Sequence, residues 1–267
     1  TLLTELLSKR RNTRVVKEAL NFWYNSKIER FLEPRGNYCN LNHEERNQLY
    51  KYFTAICDGE ILSYPLNIFR KKFYSTSNLN ILVVSNMNAS LEYFLRESQT
   101  HFNVISLIRH PVASSLSKLR NNWAEGAFAA YPRDGWYYLI DSFLEDKEYV
   151  HRYLTEDMLA LIGSLRNESQ EMVQLEWYII NWCLENLPLI RSKTFIIHYE
   201  DLLLNPSSQI KSISEYTGYK FGFNENSMLE PSKSSFLSDS ESIRLIINGD
   251  KQAKIDLWKE RINETQL

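Results

Sequence analysis

Three times along the chain a short apolar run gives way to a segment whose apolar positions recur at helical spacing. The first is ILVVS at 81–85, followed by ASLEYFLRE. The second is VISLI at 104–108, broken by Arg109, His110 and Pro111 before a helix from about Val112. The third is FIIHY at 195–199, leading into EDLLLNPSSQIKSISEYTG. Short β-branched runs read as strands, and a period near 3.6 reads as an amphipathic helix. In the third unit Pro206 suits a first helical turn and Gly218 suits the position past the last, so a helix is expected from Pro206 through Tyr216. Strands alternating with helices predict an α/β fold in three layers, α/β/α, around a central parallel sheet.

The remaining text fills in around these units. TLLTELLS at 1–8 has leucines at helical spacing with no strand before it, and Glu44–Cys57 is a second amphipathic helix. Residues from about 136 to 187 read as a helical insertion flanking the sheet, rich in aromatics and carrying Glu145 and Glu148 with Arg152. Beyond Phe223 the chain turns to Ser, Asn and Asp as far as Lys254, a surface loop over a site, and then to a helix around Trp258.

Bulk properties narrow the classes. With 267 residues, 43% of them hydrophobic, and no linker-like stretch, 1–267 reads as one domain. Lys and Arg total 31 against 33 Asp and Glu, so no global field recruits nucleic acid or an anionic membrane, and any anion site must be local. Cys39, Cys57 and Cys183 are scattered, with no CxxC pair and no histidine at zinc-finger spacing. No apolar run approaches the roughly 20 residues of a spanning helix, and the start lacks a signal-peptide pattern, which makes a cytoplasmic protein the expectation. Aromatic residues, at 13%, are expected first as packing between helices and sheet, and otherwise as a grip on a ring or sugar substrate.

The chemistry gathers at the second unit. An apolar strand ending in Arg109, then Pro111, then a helix with Ser117 eight residues after the arginine, places two phosphate ligands near the strand's C-terminal edge, where open α/β sheets bind ligands. A guanidinium offers a planar fork of donors, and a hydroxyl two turns along takes a remaining oxygen, so a dianion is held without a metal. The competing reading is an arginine ion-paired at a strand end and a solvated helix serine.

SLIRHPVASSLSKLR resembles the 3′-phosphate motif of sulfotransferases that use 3′-phosphoadenosine 5′-phosphosulfate (PAPS): a strand, an Arg, often Asp-Pro or His-Pro, and a Ser eight residues on. FIIHYEDLLLNPSSQIKSISEYTGYKF is similar to that family's strand, Tyr-Glu-Asp-Leu, Asn/Asp-Pro, helix and Gly segment. TLLTELL resembles the end of the family's 5′-phosphosulfate loop, Arg-Ser-Gly-Thr-Thr and a leucine-rich helix, with Thr1 as the loop's last threonine. The resemblance, to the tyrosylprotein and bacterial-type branch of P-loop sulfotransferases, implies a first strand and most of the loop before Thr1, and a P-loop nucleotide-kinase-like fold. KIDLWKERINETQL resembles the closing Trp-containing segment. The resemblance implies that Tyr199 lies near the nucleotide, with Glu200 and Asp201 tying the strand end to neighbouring backbone. Lys254 and Lys259, flanking Trp258, are candidates for a basic lid over PAPS or its product PAP, against the plainer reading of a solvated face.

Sulfuryl transfer needs an in-line acceptor hydroxyl, a base for its proton and positive charge on the leaving phosphate. In the resembling branch the base is a glutamate one helix and a turn after the loop, which falls at Glu18; the alternative is a surface carboxylate paired with Arg14 four residues back. Cytosolic relatives use a histidine. Here His110 is expected to shape the turn, His198 to sit in a buried strand, and His43 and His101 to lie in loops. Many relatives carry a lysine after the second strand, where VVSNMNASL offers Ser85, Asn86 and Asn88; the missing charge is expected from the arginine of the loop.

The expected activity is transfer of a sulfuryl group from PAPS to a hydroxyl of a small molecule or glycan, with no metal; self-association stays open. A P-loop kinase-like phosphotransferase, which would want a Walker-type aspartate for Mg²⁺, and a non-catalytic PAP-binding module are the alternatives. An N-terminal threonine nucleophile is a further option for Thr1, but such enzymes start on a strand and this chain starts on a helix.

Overall fold

The computed structural model describes residues 2–9, 13–16, 42–58, 60, 79–82, 91–97, 102–120, 147, 150–151, 154–165, 188–224, 226 and 240–261. Among these residues helices and strands are mixed, and the strands form two parallel pairs. In chain order the elements are α1 (Leu2–Ser8), β1 (Thr13–Val16), α2 (His43–Cys57), β2 (Leu79–Leu82), α3 (Leu91–Glu97), β3 (Val104–Ile108) and α4 (Pro111–Arg120). They continue with α5 (Glu156–Leu165), α6 (Pro188–Lys193), β4 (Thr194–His198), α7 (Tyr199–Leu204), α8 (Pro206–Thr217), α9 (Ser240–Ile247) and α10 (Lys251–Arg261).

β1 pairs with β2, Thr13 opposite Leu79 and Val16 opposite Leu82. β3 pairs with β4, Val104 opposite Thr194 and Ile108 opposite His198. Parallel neighbours need a crossover on one face, and the alternation of side chains shows both faces of β3 and β4 in use. Ile105, Phe195 and Ile197 join the core made with Leu3, Leu6 and Leu7 of α1, Leu202 and Leu203 of α7, and Ile210 and Ile213 of α8. Val104, Ile108 and Ile196 turn the other way, onto Leu91 and Leu95 of α3 and Ile190 of α6. Helices therefore cover both faces of this pair. Each fully buried aliphatic side chain here contributes roughly 1.5–3 kcal/mol. Ile81 of β2 packs against the first of these cores, so both strand pairs share it.

Local chemistry sets the element ends. Asn42 begins α2 with a capping box: its Oδ1 accepts from the Glu45 N–H at 3.0 Å, while its own N–H donates to Glu45 Oε2 at 2.7 Å. Pro206 opens α8, and Gly218, at φ 73°, closes it in the left-handed conformation that glycine adopts most readily. Aromatics pack α2 on α3, with the Phe53 and Phe94 rings edge to face at 5.5 Å and Phe102 5.0 Å from Phe94. Tyr216 ties α8 to α6 by donating to the Lys193 carbonyl at 2.8 Å.

Several expectations change. Strand β1 falls in NTRVV, where no strand was expected: four residues with only Val15 and Val16 apolar are too few to show alternation. β2 starts two residues earlier than the apolar run ILVVS suggests. Tyr199 opens a helix rather than ending a strand, and His198 is exposed at the strand end instead of buried. His43 is the first residue of α2, not part of a loop.

The largest difference lies in the stretch between Phe223 and Lys254, which contains α9. Ser240 to Ile247 has its apolar residues at Ile243, Leu245, Ile246 and Ile247, and the polar text around it concealed the period. The corner that follows is built from chain punctuation. Gly249 takes φ 73°, and Asp250 Oδ1 accepts the Ala253 N–H at 3.0 Å, capping α10. Within the expected insertion at 136–187, α5 is helical.

Candidate functional site

The register of β3 and β4 creates the site. Ile108 lies opposite His198, so the next residue on each strand, Arg109 and Tyr199, emerge side by side at the C-terminal edge. The Arg109 guanidinium carbon is 5.3 Å from the centroid of the Tyr199 ring, within cation–π range. One residue further, the His110 N–H donates to Glu200 Oε1 at 3.0 Å, joining the two turns across the strand ends. The Glu200 role expected from sequence, a carboxylate tying a strand end to neighbouring backbone, is what this bond does.

His110 also starts α4. Its carbonyl accepts from the Ser114 N–H at 3.0 Å, and Pro111 follows as the first helical residue. Its ring stacks on Trp258 of α10, centroids 4.4 Å apart and planes 18° apart. The last helix thus reaches the same edge. Leu257 beside the tryptophan is buried, and Ile255 packs against the core of α1, β4 and α8.

Two positive groups lie at this edge, Arg109 and Lys259. Arg109 is partly exposed. Lys254 is partly buried on α10. Lys259 lies with Nζ 5.9 Å from the Trp258 centroid and pairs with Asp256 Oδ1 at 2.6 Å. That pair lies within α10, and 59% of the Lys259 side chain is exposed. Hydrogen bonds from Gln252 and Lys259 hold the Asp256 carboxyl below its usual range.

Burial raises the Tyr199 hydroxyl above its ordinary pKa of 10.0; Arg109 pulls it down and Glu200 pushes it up. The phenol is neutral at physiological pH and able to donate. Burial lowers His110 from 6.5, Glu200 opposes, and Lys259 and Arg109 add to the lowering. The imidazole is therefore held neutral.

Ser117 sits on α4, six residues past Pro111, roughly 9 Å along the helix at 1.5 Å per residue; its side chain lies outside the described residues. So do Thr1, Glu18, His101, and the Ser85, Asn86 and Asn88 stretch. Arg14, the alternative partner of Glu18, is 4% exposed on β1, so the helical four-residue spacing that pairing assumed is not present at its N-terminal end. The structure thus brings together Arg109, Tyr199, Glu200 and Lys259, and adds His110 and Trp258. The His110–Trp258 contact was not foreseen; stacking partners distant in sequence leave no local signal.

Comparison with known proteins finds no matching family model, no matching curated protein and no matching solved structure. Among the described residues no helix is long and apolar enough to cross a membrane, and no group of three or more His, Cys, Asp or Glu could hold a metal ion.

Proposed function

We propose that the chain is a PAPS-dependent sulfotransferase and that the edge formed by Arg109 and Tyr199 receives the nucleotide's 3′-phosphate. The observation that carries this reading is the Arg109 guanidinium over the Tyr199 ring at the C-terminal ends of two adjacent parallel strands. Ligands of open α/β sheets bind at such ends. The aromatic face orients the guanidinium while leaving its N–H fork free for phosphate oxygens, and Arg is the side chain suited to bidentate phosphate contact. Ser117 supplies a hydroxyl along α4, and the Tyr199 phenol, kept protonated, donates nearby.

In this reading the two parallel pairs belong to one central sheet in an α/β/α fold, and Thr1 closes the 5′-phosphosulfate loop. An acceptor hydroxyl attacks sulfur in line; the new O–S bond forms as the S–O bond to the nucleotide phosphate breaks, and PAP leaves with the electron pair. Glu18 takes the acceptor's proton. Holding the 3′-phosphate fixes the distant sulfur against the acceptor, so binding energy from a non-reacting group is used for orientation. The acceptor is a hydroxyl of a small molecule or glycan, and the protein acts in the cytoplasm.

The test is thermal unfolding of the full-length natural protein with PAP, followed by transfer of labelled sulfate from PAPS to a panel of alcohols. A stabilising shift of several degrees, lost in Arg109→Ala, is the expected result. No shift in the wild type overturns the reading, and a shift with ATP that requires Mg²⁺ points to a phosphotransferase.

A further inference from the structure

The contact between His110 and Trp258 joins the last helix to the turn that carries Arg109, and it is built from a titratable ring. Trp258 lies flat on the imidazole at 4.4 Å. Nδ1 of His110 is buried and has no hydrogen-bond partner among the described residues. A neutral ring bears this at lower cost, because its Nδ1 then presents a lone pair and no charge. A protonated ring would bury an N–H donor and a charge there with no acceptor, which costs far more.

We propose that His110 is a positioning residue: its neutral imidazole is the seat on which Trp258 docks α10 against the Arg109 turn, and protonating that ring releases the helix and loosens the anion grip. The charged and titratable groups around the ring decide the sign. From the end of β3 comes Arg109, and from α10 comes Lys259, both cations that oppose a further positive charge. From α7 comes Glu200, which favours the charged ring, yet its Oε1 already accepts the His110 backbone N–H. Asp256 on α10 is engaged by Lys259 and by Gln252 Nε2 at 2.6 Å. Tyr199 of α7 is neutral in this range. Stacking of an imidazolium on indole would itself be attractive. Burial and the two cations hold the ring's pKa below its ordinary value of 6.5. Docking is therefore complete above pH 6.5, the ordinary value, and is lost as pH falls below it and passes through the lowered one.

The second half of the inference, the loosened grip, rests on the sulfotransferase reading; the docking itself does not. Both are tested on the full-length natural protein. Trp258 is one of 6 tryptophans, so its emission is taken as wild type minus Trp258→Phe. Between about pH 7.5 and about pH 5 this difference emission is expected to change with a midpoint below 6.5, and to stay flat in His110→Phe, which keeps a stacked ring without a titrating one. A midpoint at or above 6.5, or the same transition in His110→Phe, overturns the docking. If His110→Phe fails to fold, the ring protons of His110 in the wild type, followed by NMR, decide in the same way.

The anion half is read with PAP as probe. Its phosphates titrate in the same range, so each pH compares wild type with His110→Phe. Relative to the variant, the wild-type dissociation constant is expected to rise on acidification by about fivefold or more, the lower end of ordinary coupling between two sites. Tighter wild-type binding in acid would make His110 a direct anion ligand and overturn the proposal. Absence of PAP binding at every pH, with the Trp258 transition intact, overturns the sulfotransferase reading and the anion half while supporting the docking.

Discussion

His110 and Trp258 lie face to face with their planes 18° apart, and through them α10 meets the turn between β3 and α4. The pair's own strength is measurable by a double-mutant cycle of His110→Leu, Trp258→Leu and both together in urea denaturation at neutral pH. A coupling of roughly 0.5–1.5 kcal/mol is expected for an aromatic pair beyond the area it buries. A coupling near zero would mean that Trp258 is held by Leu257 and Ile255 alone.

Arg109→Lys keeps the charge beside Tyr199 and removes the planar fork. If the arginine holds a phosphate through two N–H groups, PAP binding should weaken by about 10–100-fold, near the 1.5–3 kcal/mol of a charge-assisted hydrogen bond. Titration calorimetry reads this directly. Equal affinity for PAP in the two proteins would remove Arg109 from the site.

Glu200→Ala leaves the His110 N–H without its acceptor, and a stranded donor in a partly buried turn costs about 1–3 kcal/mol of stability. Glu200→Gln restores an acceptor oxygen at the same reach and should lose less. Chemical denaturation of the two variants separates the hydrogen bond from the charge. If both lose the same amount, the charge is what matters.

Tyr199 should be among the slowest of the 16 tyrosines to ionise, because burial raises it above 10.0, with Glu200 adding to the rise and Arg109 opposing it. Its folded-state proton affinity exceeds the unfolded one, so its contribution to stability is complete below pH 10.0 and disappears as pH rises through the higher folded value. The absorbance difference between wild type and Tyr199→Phe at alkaline pH checks this. A phenolate signal that appears below pH 10.0 would contradict it.

Gly218→Ala should destabilise by about 1–2 kcal/mol, the cost of a left-handed backbone for an L side chain. The position has φ +73°, and among the described residues no heavy atom lies within 4 Å of where a Cβ would stand, so conformation is what is tested. Gly218→Asn should lose less. Thermal unfolding of the pair reads the difference.

What the sequence makes legible here is local. Pro206 and Gly218 bracket α8 because each acts through its own backbone, and VISLI needs no partner to announce a strand. Ser240 to Ile247 was hidden because its apolar face is short and embedded in Ser and Asp, although Gly249 and Asp250 mark a helix stop and a helix start. The site divides in the same way. Arg109 is readable from the strand that ends in it and Glu200 from the turn it follows. The stacking of Trp258 on His110 depends on how α10 returns to the sheet, which no spacing along the chain encodes.

The hydrogen bond from His110 to Glu200 spans 90 residues. During synthesis at roughly 5–20 residues per second, the turn bearing Arg109 therefore waits on the order of ten seconds before Tyr199 and Glu200 exist. Until then β3 presents an unpaired parallel edge, and a chain that stops anywhere short of residue 199 carries the arginine without the ring beneath it. Contacts this distant fold slowly. The edge that carries Arg109 and Tyr199 is thus among the last features to be completed, finished only when Trp258 has been made and can close on a turn formed far earlier.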